Sequence, residues 1–167
     1  GIYLAVDAGR SIETERRLHA SAKSIAAQLD AFSSLQRAIG YTHFIHNFKN
    51  GVLRRQPERL DMALADLETA GIALRTLRGL NPELSGAADD MAATLAEYHR
   101  KAALAKILIA SDMTPTEIDN QVKVDDTAAG HALESIYDAI NRARGKLAAD
   151  IDDQQTYMGR QRDIIVA

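Results

Sequence analysis

The chain has 167 residues, enough for one domain with a real core and short for two. Hydrophobic residues make up 46% and aromatics 5%, with no tryptophan, and alanine supplies much of the apolar content, which favours closely packed helices over a sheet sandwich. A net charge of −3 with both signs interspersed offers no basic face for nucleic acid, and the lack of cysteine removes disulfides, thiolate metal sites and cysteine nucleophiles.

Helical periodicity covers most of the sequence and strand signals are nearly missing. The spacing predicts a first helix over about 7–50, ended by Gly51 and Pro57. Counting by sevens from Leu18 gives Ile25, Phe32, Ile39, His46 and Leu53, an apolar seam interrupted by one imidazole, with Ala22, Leu29 and Gln36 in a second row. A second helix is expected over 57–79, with Pro57 in its first turn and Leu60, Leu67 and Leu74 in one row beside Leu64 and Gly71. Gly79-Leu80-Asn81-Pro82 reads as a turn. The third helix, over 83–111, carries Met91, Tyr98 and Ala105 in one row and Leu95, Ala102 and Ile109 in the next. Ser111 to Pro115 closes it, and one short turn is expected around Glu117-Ile118-Asp119. The last helix, over 126–165, has a stripe of Leu133, Ile140 and Leu147 with Ile136, Ile151 and Met158. At both chain ends, Gly1 to Val6 and Asp163 to Ala167, apolar runs join the helical patterns without a cap. They fit either frayed helix ends or the stubs of two transmembrane helices.

These elements predict an all-α fold, an antiparallel up-down four-helix bundle forming a single domain over 1–167, with long first and fourth helices and shorter second and third. At 1.5 Å per residue a helix of about 40 residues reaches roughly 60 Å, against under 40 Å for one of about 25. Both termini then lie at one end, and the end of the first helix meets the start of the fourth at the other. His46 to Asn50 should come close to Val122-Lys123-Val124-Asp125-Asp126.

On a helix His43, His46, Asn47, Asn50 and Arg54 form a polar band, with Lys49 three residues after His46. A buried imidazole needs partners, and Asp125 or Asp126 facing His46 would hold it as imidazolium. Cations, amides and carboxylates together suit a small zwitterion or anion. The plainer reading is that His46 is satisfied by neighbours, that Asp125-Asp126 caps the last helix, and that the cluster fixes helix register. His43 and His46 could share a metal with one of the aspartates, yet no His-Glu-x-x-His or repeated Glu-x-x-His pattern supports a metal centre. Phosphate loops, nucleophile elbows and dinucleotide fingerprints are absent, so no catalytic residue, cofactor or metal is expected.

The segment Ile39-Gly40-Tyr41-Thr42-His43-Phe44-Ile45-His46-Asn47-Phe48-Lys49-Asn50-Gly51-Val52-Leu53-Arg54 resembles a motif of extracytoplasmic sensor domains in bacterial signalling receptors. Ile118-Asp119-Asn120-Gln121-Val122-Lys123-Val124-Asp125-Asp126 looks like its companion. Thr42-His43 stands where small residues are expected after the tyrosine, and Gly51 where a bulkier residue is usual. The resemblance implies a periplasmic domain of an inner-membrane receptor of the methyl-accepting chemotaxis type, anchored through flanking transmembrane helices and usually a homodimer. It equally implies the sensor of a membrane diguanylate cyclase or histidine kinase; a purely structural or dimerisation bundle is the alternative from a different class. The ligand, small and polar or charged, is expected at Tyr41, His43, His46, Asn47, Lys49 and Asn50, with Arg54, Lys123, Asp125 and Asp126 around them.

Overall fold

The computed structural model describes residues 2–166, with side chains from 9 to 162. Six α-helices follow in order: α1 (Ile2–Ile39), α2 (Phe44–Leu53), α3 (Pro57–Leu80), α4 (Ser85–Leu108), α5 (Pro115–Val122) and α6 (Thr127–Val166), with a single 3-10 turn at Pro82–Leu84. No strand occurs among the described residues. The apolar runs at the chain ends lie outside the described side chains. The chain divides into two compact units, Gln28–Tyr137 and a helix pair formed by residues 1–27 and 138–167.

The first predicted helix is two helices. Gly40 to His43 form a turn, in which the Gly40 N–H donates to the Arg37 carbonyl at 3.3 Å and the His43 N–H to the Gly40 carbonyl at 3.1 Å. Glycine weakens helix here, and β-branched Thr42 follows it. The turn resets the register. Phe32, Leu35 and Ala38 are buried before it; after it the buried set is Phe44, Asn47, Phe48, Gly51 and Val52. Counting by sevens across the break therefore fails: His46 is exposed and Leu53 is 60% exposed. The inward polar residue is Asn47, one position later.

Gly51 does not end α2. It lies inside the helix against Leu60 of α3, where a Cβ would meet the Leu60 Cδ2 at 2.6 Å, so glycine sets how closely α2 and α3 approach. The helix ends two residues on. The Arg55 N–H donates to the Val52 carbonyl and the Gln56 N–H to the Gly51 carbonyl, with Arg55 at φ 54°, a Schellman ending carried by a residue other than glycine. The Arg55 guanidinium reaches across to the carbonyls of Ile109, Ser111 and Met113, the acceptors left over at the end of α4. One residue thus closes two helix ends, α2 through its backbone and α4 through its side chain.

α3 buries Leu60, Ala63, Leu67, Ala70, Leu74 and Leu77, a regular three-four spacing whose alanines admit α4. The predicted neighbours Leu64 and Gly71 are half-buried at the edge of that row. α4 answers with Ala88, Met91, Leu95, Ala102 and Ala105. Asn81 organises the connection: its side-chain oxygen accepts from the Glu83 N–H and its amide donates to Gln28 of α1 at 3.2 Å. The turn expected near Glu117 is a full helix, α5, opened by a capping box between Thr114 and Glu117 and buried through Ile118 and Val122. Lys101 of α4 donates to the Gln121 carbonyl at 2.8 Å, closing the other end of α5.

Residues 28–137 hold nearly all of the core. In the helix pair, the buried side chains among the described residues are Ile25, Ala139 and Ile140. Of the predicted stripe on α6, Leu147 is half-buried and Ile151 and Met158 are exposed, as is Ile12 on α1. Ser11 lies beside Met158 and Gln154, which places α1 and α6 side by side in this unit.

Candidate functional site

Three rings pack together at the site. Phe44 and Phe48, one turn apart on α2, stack with centroids at 5.5 Å, and Tyr98 of α4 meets Phe44 edge-on at 4.7 Å. The Tyr98 hydroxyl donates to the Asp126 Oδ2 at 3.1 Å. Burial, then the Asp126 charge and hydrogen bond, push the Tyr98 phenol up to about 12.

Two adjacent aspartates divide the work at the start of α6. The Asp126 carbonyl accepts from the Gly130 N–H, so Asp126 occupies the capping position, yet its carboxylate is turned to Tyr98. Asp125 caps instead: its Oδ1 accepts from the Thr127 N–H at 3.0 Å and the Thr127 hydroxyl at 2.7 Å, which hold the Asp125 carboxyl below its usual range. No ion pair and no second hydrogen bond engage the Asp126 side chain among the described residues.

Phe44 and Tyr98 line a cleft of about 480 Å³. The turn after α1 supplies Tyr41, α2 supplies Phe44 and Ile45, α4 supplies Met91, Leu95 and Tyr98, and α6 supplies Thr127, Gly130 and Leu133 around Asp126. Asp126 is the one charged residue in its lining. A second cleft of about 270 Å³ shares Tyr41, Phe44, Ile45, Tyr98 and Asp126 and adds Lys49, Asp119, Lys123 and Val124. The larger volume lies within the usual range of about 300–1,000 Å³ for small-molecule sites.

The two motif segments therefore meet, through residues other than the histidine. Tyr41, Lys49, Lys123 and Asp126 border the clefts. His43 and Asn47 instead face α3. The Asn47 amide donates to the Asp66 Oδ2 at 2.9 Å, Arg59 donates to the Asn47 Oδ1 at 3.2 Å, and the His43 Nδ1 lies 3.4 Å from the Asp66 Oδ1. This buried amide is satisfied on both sides within the fold. His46 lines neither cleft, and the Asn50 amide donates back to the His46 carbonyl at 2.9 Å. The expected His46–aspartate pairing fails because the turn at Gly40 rotates His46 outward. Arg54 is exposed, and Asp125 is occupied by its cap.

Sequence reasoning passed over Tyr98, Phe44, Ile45, Asp66, Arg55 and Arg59. Tyr98 was legible as a core position, and its hydroxyl was the signal that it needs a polar partner. Asp66 and Arg59 look like surface charges on α3 until Asn47 is known to face them. Among the described residues no group of three or more histidine, aspartate and glutamate side chains converges as a metal site, and no helix is long and apolar enough to cross a membrane. Comparison of the chain with protein families, curated proteins and solved structures finds no match.

Proposed function

We propose that this chain is the extracytoplasmic sensor domain of a transmembrane receptor of the methyl-accepting chemotaxis type, which binds a small polar or charged ligand in the larger cleft. The observation that carries this reading is the cleft of about 480 Å³ formed where the two motif segments converge, with Tyr41 and Ile45 on one side and Asp126 on the other. In this reading the chain is an up-down antiparallel four-helix bundle, with α2 and α5 as additions at its membrane-distal end. The domain lies in the periplasm, performs no catalysis and is anchored by helices that continue from both termini. α1 and α6 each begin or end at the cleft unit and run on into the helix pair. A ligand that favours one packing of their cleft ends shifts the population of the whole pair. The exposed Ile12, Ile151 and Met158 suit a second copy of the chain, as a homodimeric receptor requires. The same architecture serves a diguanylate cyclase or histidine kinase output equally well.

Gly130→Leu provides the test. Gly130 borders the cleft and a Cβ there meets nothing within 4 Å, so a bulky side chain can be added at the lining with no clash at its first atom. Thermal-shift screening against amines, amino acids and organic acids should yield compounds that stabilise the native chain and leave Gly130→Leu unmoved. A screen in which every stabilising compound acts equally on Gly130→Leu removes the cleft from consideration.

A second reading, a structural or protein-interaction bundle, is favoured by the Asn47–Asp66–Arg59–His43 network, which is complete without a ligand and fixes the register of α2 on α3. Under it, receptor output survives Gly130→Leu unchanged.

A further inference from the structure

We infer that the larger cleft selects a small organic cation, an ammonium group carried on an apolar or aromatic body; this rests on the cleft being the ligand site. Three features of the lining converge on that chemistry. Its one charged residue among the described residues is Asp126, so a positive ligand meets an opposite charge and a negative one is repelled by it. Among the described residues the Asp126 carboxylate has a single hydrogen-bond donor, the Tyr98 hydroxyl, and therefore keeps acceptor capacity for an N–H group. Around it stand Tyr41 and Tyr98, whose ring faces attract a cation, while Ile45, Met91 and Leu95 offer apolar surface to the rest of the molecule.

The start of α6 works in the opposite sense, because a helix N-terminus carries about half a positive charge. The Asp125 cap and the Asp126 carboxylate together bring two negative charges to that same terminus, so cation attraction wins. Lys49 and Lys123 border the smaller cleft and not the larger one. A carboxylate is therefore welcome only on a ligand long enough to extend past Tyr98. The expectation of a small zwitterion or anion rested on His43, His46, Asn47, Lys49, Asn50 and Arg54 with the aspartates, and of that set the larger cleft is lined by Asp126 and by none of the cationic groups.

Isothermal titration calorimetry on the whole chain, with phenethylammonium, phenethyl alcohol and phenylpropionate as probes that share a phenethyl body and differ in the charge of the head group, tests the inference. The ammonium compound should bind at least about tenfold more tightly than the alcohol, and the carboxylate more weakly than either. Asp126→Asn keeps an acceptor for Tyr98 and should remove the ammonium preference while leaving the alcohol unchanged. Gly130→Leu should abolish binding of all three, with circular dichroism confirming that both variants fold. Should phenylpropionate bind best and Gly130→Leu block it, the cleft is a ligand site and the cation assignment is overturned. Should the ammonium compound bind Gly130→Leu as well as the native chain, the cleft reading falls and the inference with it; should it fail to bind the native chain, the cation assignment is overturned.

Discussion

Replacing Gly51 by alanine sets two opposed terms against each other, and the structure decides the sign. Alanine inside a helix is favoured over glycine by about 1 kcal/mol. At this position the added methyl would lie 2.6 Å from the Leu60 Cδ2, 2.7 Å from its Cγ and 3.3 Å from its backbone N. Leu60 is wholly buried, so its side chain has no free volume to turn into, and the backbone contact requires α3 itself to move. Overpacking of this kind costs about 1–3 kcal/mol, so after a helix gain of about 1 kcal/mol Gly51→Ala should destabilise the protein by up to about 2 kcal/mol. Gly71→Ala in α3 is the matched control. Its Cβ would meet only the Arg75 Nη1 at 3.5 Å, an ordinary contact, and the variant should be stabilised by roughly 0.5–1 kcal/mol. Urea denaturation followed by circular dichroism separates the two, provided the slope with denaturant is unchanged. A Gly51→Ala protein as stable as Gly71→Ala would show that α2 does not rest on Leu60, and the register argued for Asn47 would go with it.

Asn47→Ala removes hydrogen bonds to Asp66 and Arg59 and should cost about 2–4 kcal/mol in the same denaturation assay. His46→Ala should change stability by less than about 0.5 kcal/mol, since that side chain is exposed; the reverse ranking of the two would restore the heptad reading. Arg55→Ala strips the donors from the end of α4 and should raise amide hydrogen exchange around Ile109 to Met113 more than elsewhere. The raised Tyr98 phenol gives an alkaline signature. Its contribution is fully present below pH 10.0 and is lost as pH rises toward about 12, so thermal stability should decline in that window and Tyr98→Phe should flatten the decline. At the acid end, the lowered Asp125 and Glu117 carboxyls contribute above about pH 4 and lose their contribution as pH falls further, an effect that Asp125→Asn should reduce.

Much of the helical layout was readable from spacing alone. Pro57 opens α3, Asn81-Pro82 turns the chain, and Met91, Leu95, Ala102 and Ala105 face the core of α4, because each follows from local propensity and one unbroken period. The failure came where the period was carried across Gly40. Ile39 and Leu53 look equally good on either side, and apolar residues alone do not reveal that the turn adds a rotation between them. A shift of about one residue then moved the inward polar position from His46 to Asn47, and every partner assigned to the histidine moved with it. The convergence of the two motifs survived this error, because it depends on which elements adjoin and not on which face they present. Arg55 was hidden for a different reason: a left-handed arginine has no sequence signature when glycine is the expected residue.

Because the Asp125 side chain secures the start of α6, the Asp126 side chain carries no capping duty toward that helix. Substitutions at Asp126 can alter the sign or polarity of the cleft while the helix continues to nucleate at the same residue. Under the proposed sensor reading, a chain of this design can change what it recognises through one side chain, with the scaffold left standing.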